Sequence, residues 1–145
     1  MNGGFSAGFG RRFAALIYDT LLLAALMLIF TTALVMLFAR SAIVPETAGP
    51  WVYLYRASLL AIVIGYYLLN WTRSGQTLGM RAWRLRAVTD AGTRMSRRAA
   101  SLRFICGVIA WAPAGIGVLW LYVDSEHLAV HDRLSRTRVI HITRS

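Results

Sequence analysis

Three long apolar stretches, set apart by short polar or arginine-rich segments, organise the chain. The first runs from Phe13 to Phe38 with one charge in it, Asp19. A bilayer core takes about 20 helical residues, so this stretch predicts a tilted membrane span over 13–38. A cleaved signal peptide fits poorly, because its apolar core is about 7–15 residues long and this run continues through Leu34 to Phe38. The second stretch, Trp51 to Trp71, predicts another span over 51–71. Trp51, Tyr53 and Tyr55 crowd one end and Tyr66, Tyr67 and Trp71 the other, the pattern of aromatic belts at the two interfaces. Arg56, about one turn in, reads as snorkelling to the interface. Ala57, Ala61 and Gly65 fall four apart, a small-residue stripe that predicts packing of the second helix on the first.

The third stretch, 102–123, is broken by Ala112-Pro113-Ala114-Gly115-Ile116-Gly117. Proline removes a helical hydrogen bond and glycine loosens the turn. The stretch is therefore one kinked span or a re-entrant hairpin of two half-helices. Between the second and third stretches lies a basic segment, 72–101. Within it Ala82 to Thr89 alternates in part between apolar residues and arginine, which suits a short strand, and Asp90-Ala91-Gly92 supplies turn residues. In the basic tail, 124–145, Thr137 to Ile142 is a second β-branched run. The two runs can pair into a small cytoplasmic sheet; the alternative is an irregular basic apron on anionic lipid. The fold class expected is an all-α membrane protein, one domain over 1–145, with two transmembrane helices and a Pro/Gly-broken third hydrophobic segment.

Composition sharpens this picture. Of the 145 residues 57% are apolar and 15% charged, and mean hydropathy is +0.54. Soluble domains carry roughly 25% charge, so a water-soluble globule is excluded, and the same balance excludes disorder. The net charge of +10 comes from 16 basic residues, all arginine, against 6 acidic ones. Scattered over a soluble fold, such charge would point to nucleic acid. Here it is bunched between apolar runs, which points to a membrane surface and anionic lipid headgroups, with no nucleic-acid partner. Eight arginines lie in 72–103, whereas 39–50 holds only Arg40 and Glu46 as charges. The positive-inside rule then places residues 39–50 outside, and the N-terminus and the basic segment of a multi-pass protein in the cytoplasm. A re-entrant hairpin keeps the tail arginines on that side as well, and is preferred. Cys106 is the only cysteine, so no internal disulfide forms, and it reads as a small packing residue.

Candidate chemistry starts at Asp19. It lies roughly 10 Å along the helix from Arg12, about a third of the way into a ~30 Å core. An aspartate at the centre of a span costs about 2.5–3.5 kcal/mol on insertion scales, so it must face protein, water or a partner charge. It is either a proton or cation site or one member of a structural ion pair. Arg12, seven residues earlier, lies on the same face within about 20°, yet too far for direct contact without something between them. Arg11 points away. In the tail, Asp124, Glu126 and Asp132 cluster against the basic background, next to His131 and Arg133. They either cap a half-helix or bring Asp132 to the face of Arg12 and Asp19. His127 and His131 are an i, i+4 pair without a third ligand, too little for a metal site. No enzymatic signature and no cofactor motif is present, and the chain has no lysine for a phosphate loop. No enzyme activity, metal or cofactor is expected.

Three blocks carry a family resemblance: Gly8-Phe9-Gly10-Arg11-Arg12 through Tyr18-Asp19; Ser74-Gly75-Gln76-Thr77-Leu78-Gly79-Met80-Arg81 with Leu85-Arg86-Ala87-Val88; and His131-Asp132-Arg133-Leu134-Ser135-Arg136-Thr137-Arg138-Val139. In this order they resemble the RDD family of bacterial membrane proteins, from about Gly8 to Ile142. The family is named for one arginine and two aspartates, which fall here on Arg12, Asp19 and Asp132. Two positions depart from its pattern. The family often carries a basic residue where Met80 stands, and a glycine where Arg84 precedes Leu85. The resemblance implies an inner-membrane protein with a role in transport and no stated substrate. Two functions are therefore expected in order: a transport protein for a proton or small cation, built as a homo-oligomer because two spans cannot enclose a path; or a non-transporting adaptor with a structural charge network and a basic face for lipid or partner proteins.

Overall fold

A computed structural model describes residues 8–37, 49–111 and 130–142. Helix α1 spans Phe9–Leu37 and α2 spans Trp51–Arg73. Short helix α3 (Leu78–Ala82) leads into strand β1 (Leu85–Thr89); α4 covers Arg97–Trp111, α5 covers Val130–Leu134, and strand β2 (Thr137–His141) closes the order.

Helices α1 and α2 begin and end within a few residues of the expected spans. Of the most apolar window in each, only 6% is buried inside the protein. Leu28, Ile29, Met36 and Leu37 on α1 and Leu54 and Leu60 on α2 stand exposed. A soluble core helix would bury such residues; a bare apolar girdle of this length suits lipid. Helix α2 stops where Gly75, at φ +71°, donates its N–H to Trp71 O at 3.1 Å. Arg73 in the last turn is favourable to the helix dipole.

The small-residue stripe does not pack as expected. Ala57 and Ala61 are exposed and Gly65 has nothing within 4 Å of a Cβ position. The two long helices are joined through polar side chains instead: Thr31 Oγ1 meets Tyr55 Oη at 2.8 Å, and Tyr66 Oη donates to Asp19 at 2.6 Å.

The strand over Ala82–Thr89 is shorter than expected. Ala82 ends α3, Trp83 caps it, and Arg84 turns the chain at φ 54° before β1 starts at Leu85. Strands β1 and β2 pair antiparallel, with Leu85 opposite His141, Ala87 opposite Val139 and Thr89 opposite Thr137. Leu85, Ala87, Val139 and Thr137 are buried, while Arg86 and Arg138 alternate outward. Met80, Leu85, Ala87, Met95 and Val139 pack on Ala15, with Trp71 and Ala99 against them. This core sits where the first turns of α1 meet the last turns of α2, so the sheet covers one end of the helix pair. Both strands therefore lie on the same side of any bilayer the helices cross. The Ala112–Gly117 break, Asp124, Glu126 and His127 lie outside the described residues, as does the side chain of His131.

Candidate functional site

Two buried aspartates form two separate nodes, and no hydrogen bond or ion pair joins Asp19 to Arg12 or Asp132 among the described residues. Asp19 is 3% exposed. Its Oδ1 accepts from Tyr66 Oη at 2.6 Å and from Gly79 N at 2.8 Å, and its Oδ2 accepts from Thr77 Oγ1. The hydroxyls are fixed as donors by what they accept. Leu78 N donates to Tyr66 Oη at 3.2 Å, and Met80 N donates to Thr77 Oγ1 at 3.1 Å. The N–H groups of Leu78, Gly79 and Met80 are the unpaired donors of the first turn of α3, and each ends on this cluster. Asp19 thus seats the positive end of α3 against a spanning helix.

That seating requires Gly79. A Cβ there would overlap the carbonyl oxygen of Ala15 and lie 2.9 Å from Asp19 Cγ. Thr77, at ψ 171° before the helix, is an N-cap of ordinary geometry.

Asp132 is fully buried, at 0% exposure. Arg12 Nη1 pairs with its Oδ2, and Arg103 Nη1 pairs with its Oδ1 at 2.6 Å. Arg103 also donates to Thr137 Oγ1, which meets Ser135 Oγ at 2.7 Å. The node ties α1, α4, α5 and β2 together. Arg12 lies in the first turn of α1, where a cation opposes the helix dipole, so an anion at this point offsets two unfavourable features at once. Arg12 Nη2 reaches Val139 O at 3.5 Å, bringing the end of α1 to the sheet.

Of the two alternatives for the tail acids, a half-helix cap or Asp132 at the face of Arg12 and Asp19, the structure shows part of the second: Asp132 meets Arg12. It does not link Asp19 to them: among the described residues no side chain bridges Arg12 to Asp19, and buried Ala15 lies between them on α1. Arg11 and Arg133 are exposed. In the sequence Arg103 is one of eight arginines in 72–103, and Tyr66 belongs to an aromatic belt. Thr77 and Gly79 stand in the second block of the family resemblance. A signal for the last pair did exist: threonine at the start of Thr-Leu-Gly-Met is an N-cap pattern. Arg103 offered one too, as a charge at the edge of an apolar stretch.

Between the nodes lies a pocket of about 310 Å³, lined by Leu16, Val63, Tyr67, Trp71, Phe104 and Val108 among others, with Arg12, Asp19 and Arg103 in its wall. The Arg103 guanidinium sits 5.3 Å from the centroid of the Trp71 ring. Among the described residues no three His, Cys, Asp or Glu side chains converge as a metal site requires.

Comparison with known proteins adds one finding. A family model described as RDD family matches residues 6–136, a range containing Arg12, Asp19 and Asp132. Searches of curated proteins and of solved structures returned no match.

Proposed function

The chain belongs to the RDD family, a family of membrane proteins, and from that premise we propose that it works as a small membrane adaptor whose charge network fastens a basic layer onto one end of two spanning helices. One observation carries this reading: both carboxylate oxygens of Asp19 and of Asp132 are taken by donors from other elements of the chain. An ion there would have to compete with these donors for the remaining lone pairs; held this way, the oxygens act as fasteners. The layer they hold presents Arg81, Arg84, Arg86, Arg97, Arg136 and Arg138 outward. Arginine near an anionic leaflet contributes about 1 kcal/mol each, which suits the cytoplasmic face of a bacterial inner membrane and acidic headgroups or acidic partner segments there. The pairing of β1 with β2 keeps both strands, and the arginines they carry, in one layer.

A second reading, transport of a proton or small cation by a homo-oligomer, draws on the pocket that opens beside Asp19 and Arg12. One experiment separates the two. The purified protein is reconstituted in proteoliposomes with an internal pH dye, and Na⁺, K⁺ and Li⁺ gradients are applied to wild type and Asp19→Asn. The adaptor reading expects flat traces from wild type and a lowered melting temperature in the variant. Cation-dependent proton movement that disappears in a folded Asp19→Asn protein would put transport in its place.

A further inference from the structure

We propose that the groove between α1 and α2 seats one anionic phospholipid, its phosphate held between Arg73 and Arg81 and one acyl chain lying along Leu26, Ile62, Gly65 and Leu69. The groove measures about 540 Å³, and these residues line it. Its apolar wall comes from the spanning helices; its two arginines come from the last residue of α2 and from α3, on the side of the basic layer. Ala61, also in the wall, stands about 18 Å from Arg73 along the helix axis at 1.5 Å per residue. Half of a ~30 Å hydrocarbon core is about 15 Å, so the groove runs the depth of one leaflet. Leu78 and Trp83, at the two ends of α3, are exposed beside Arg81, and an exposed tryptophan belongs at head-group level. A Cβ on Gly65 would meet nothing within 4 Å. In a bilayer such a gap is open to acyl chains, which are as apolar as leucine.

Charge fixes the class of head group. Arg73 and Arg81 form no ion pair among the described residues. The described acids are engaged or placed elsewhere: Asp19 on Tyr66, Thr77 and Gly79, Asp132 on Arg12 and Arg103, and Asp90 in the turn after β1. Arg81 also lines a cleft of about 370 Å³ with Gln76, Arg84 and Ile142, so a third guanidinium stands next to the groove. Guanidinium groups gathered without an acid suit a phosphate oxygen.

The seat rests on the basic layer proposed above as a lipid-facing surface, and an internal repeat separates the two. Arg-x-x-Arg-x-Arg occurs at 81–86 and again at 133–138. Each copy passes from a short helix through a left-handed arginine into a strand, Arg84 at φ 54° and Arg136 at φ 50°. The carbonyl of each accepts from beyond the end of the other strand, from Ile142 N at 2.8 Å and from Asp90 N at 3.2 Å. Ala87 pairs with Val139, its own counterpart, so a pseudo-two-fold axis passes through that pair. The copies differ in what lies beside the left-handed arginine: Ile142 and the cleft at Arg84, but the acidic residue Asp90 at Arg136. A diffuse layer draws equally on both arginines, whereas the seat draws on the first copy.

The test is native mass spectrometry of the detergent-purified full chain, titrated with dioleoyl phosphatidylglycerol or dioleoyl phosphatidylcholine, with inorganic phosphate as competitor. The expected result is one lipid per chain, about tenfold tighter for phosphatidylglycerol and not displaced by phosphate. Arg81→Gln should weaken that adduct several-fold. Gly65→Leu puts a side chain into the open groove and should abolish the adduct without lowering the melting temperature. Arg84→Gln and Arg136→Gln each remove one charge from the same backbone conformation; the first should weaken the adduct and the second should leave it intact. The absence of a one-lipid adduct, its displacement by phosphate, its retention in Gly65→Leu, or equal effects of Arg84→Gln and Arg136→Gln overturns the seat. So does a dimer that Gly65→Leu dissociates, which would make the groove an interface between copies. The basic-layer reading fails separately, by loss of any preference of the protein for phosphatidylglycerol nanodiscs.

Discussion

Gly79 donates its backbone N–H to Asp19 at 2.8 Å from a position so close to α1 that a methyl group would run into the carbonyl of Ala15. The approach of α3 to the spanning helix is therefore limited by backbone, which cannot give way as a flexible side chain can. Gly79→Ala is expected to lower stability by about 1–3 kcal/mol, the usual range for overpacking, read as a drop in melting temperature in detergent. An unchanged melting temperature would mean that α3 does not sit on α1 at this spacing.

Thr77 both caps α3 and donates to Asp19. Thr77→Val keeps the shape and loses both bonds, so about 1–3 kcal/mol should be lost, while Thr77→Ser should retain most of the wild-type stability. A Thr77→Ser loss larger than that of Thr77→Val would assign the effect to the methyl group instead.

Asp132 holds two guanidinium groups, whereas Arg12 and Arg103 each hold only part of it. Removing the anion leaves two buried cations facing each other, so Asp132→Ala should cost about 3–5 kcal/mol and more than Arg12→Ala. A double-mutant cycle between Arg12 and Asp132, followed by unfolding in mixed micelles, should show coupling well above the 0.2–1 kcal/mol range of exposed pairs. Additive effects would place the pair in water.

Arg84 adopts φ 54° and Ile142 N donates to its carbonyl at 2.8 Å. A left-handed conformation costs a non-glycine residue about 1–2 kcal/mol. Its side chain is exposed and forms no ion pair among the described residues, so Arg84→Gly should raise the melting temperature. A fall would show that the arginine contributes more through its side chain than its backbone costs. This is the position at which the sequence departs from the glycine common in the family, and the structure shows the conformation that glycine would suit.

Arg86 and Arg138 point away from the core on adjacent strands. Arg86→Gln with Arg138→Gln should leave the melting temperature nearly unchanged and weaken the preference for phosphatidylglycerol over phosphatidylcholine nanodiscs, an effect that shrinks as salt rises. A stability loss above about 0.5 kcal/mol, the limit for most surface changes, would show that these arginines support the sheet.

Much of this protein was legible in its sequence because lipid imposes a plain rule: a span must be long, apolar and helical. Phe13 to Phe38 and Trp51 to Trp71 meet that rule by composition alone, and the β-branched run at Thr137 shows its strand by residue type. A lone Asp19 in an apolar helix declares by its desolvation cost that it has a partner. What the sequence could not supply was which partner. Asp19 and Arg12 share a helix face, but bonding needs distance as well as direction, and the tertiary fold sends one to Tyr66, Thr77 and Gly79 and the other to Asp132. Arg103, one of eight arginines in its region, is singled out only when α4 brings it onto Asp132 and Trp71. The small-residue stripe stays open for the same reason: spacing along a helix fixes which residues share a face, while the packing of the whole chain decides what that face meets.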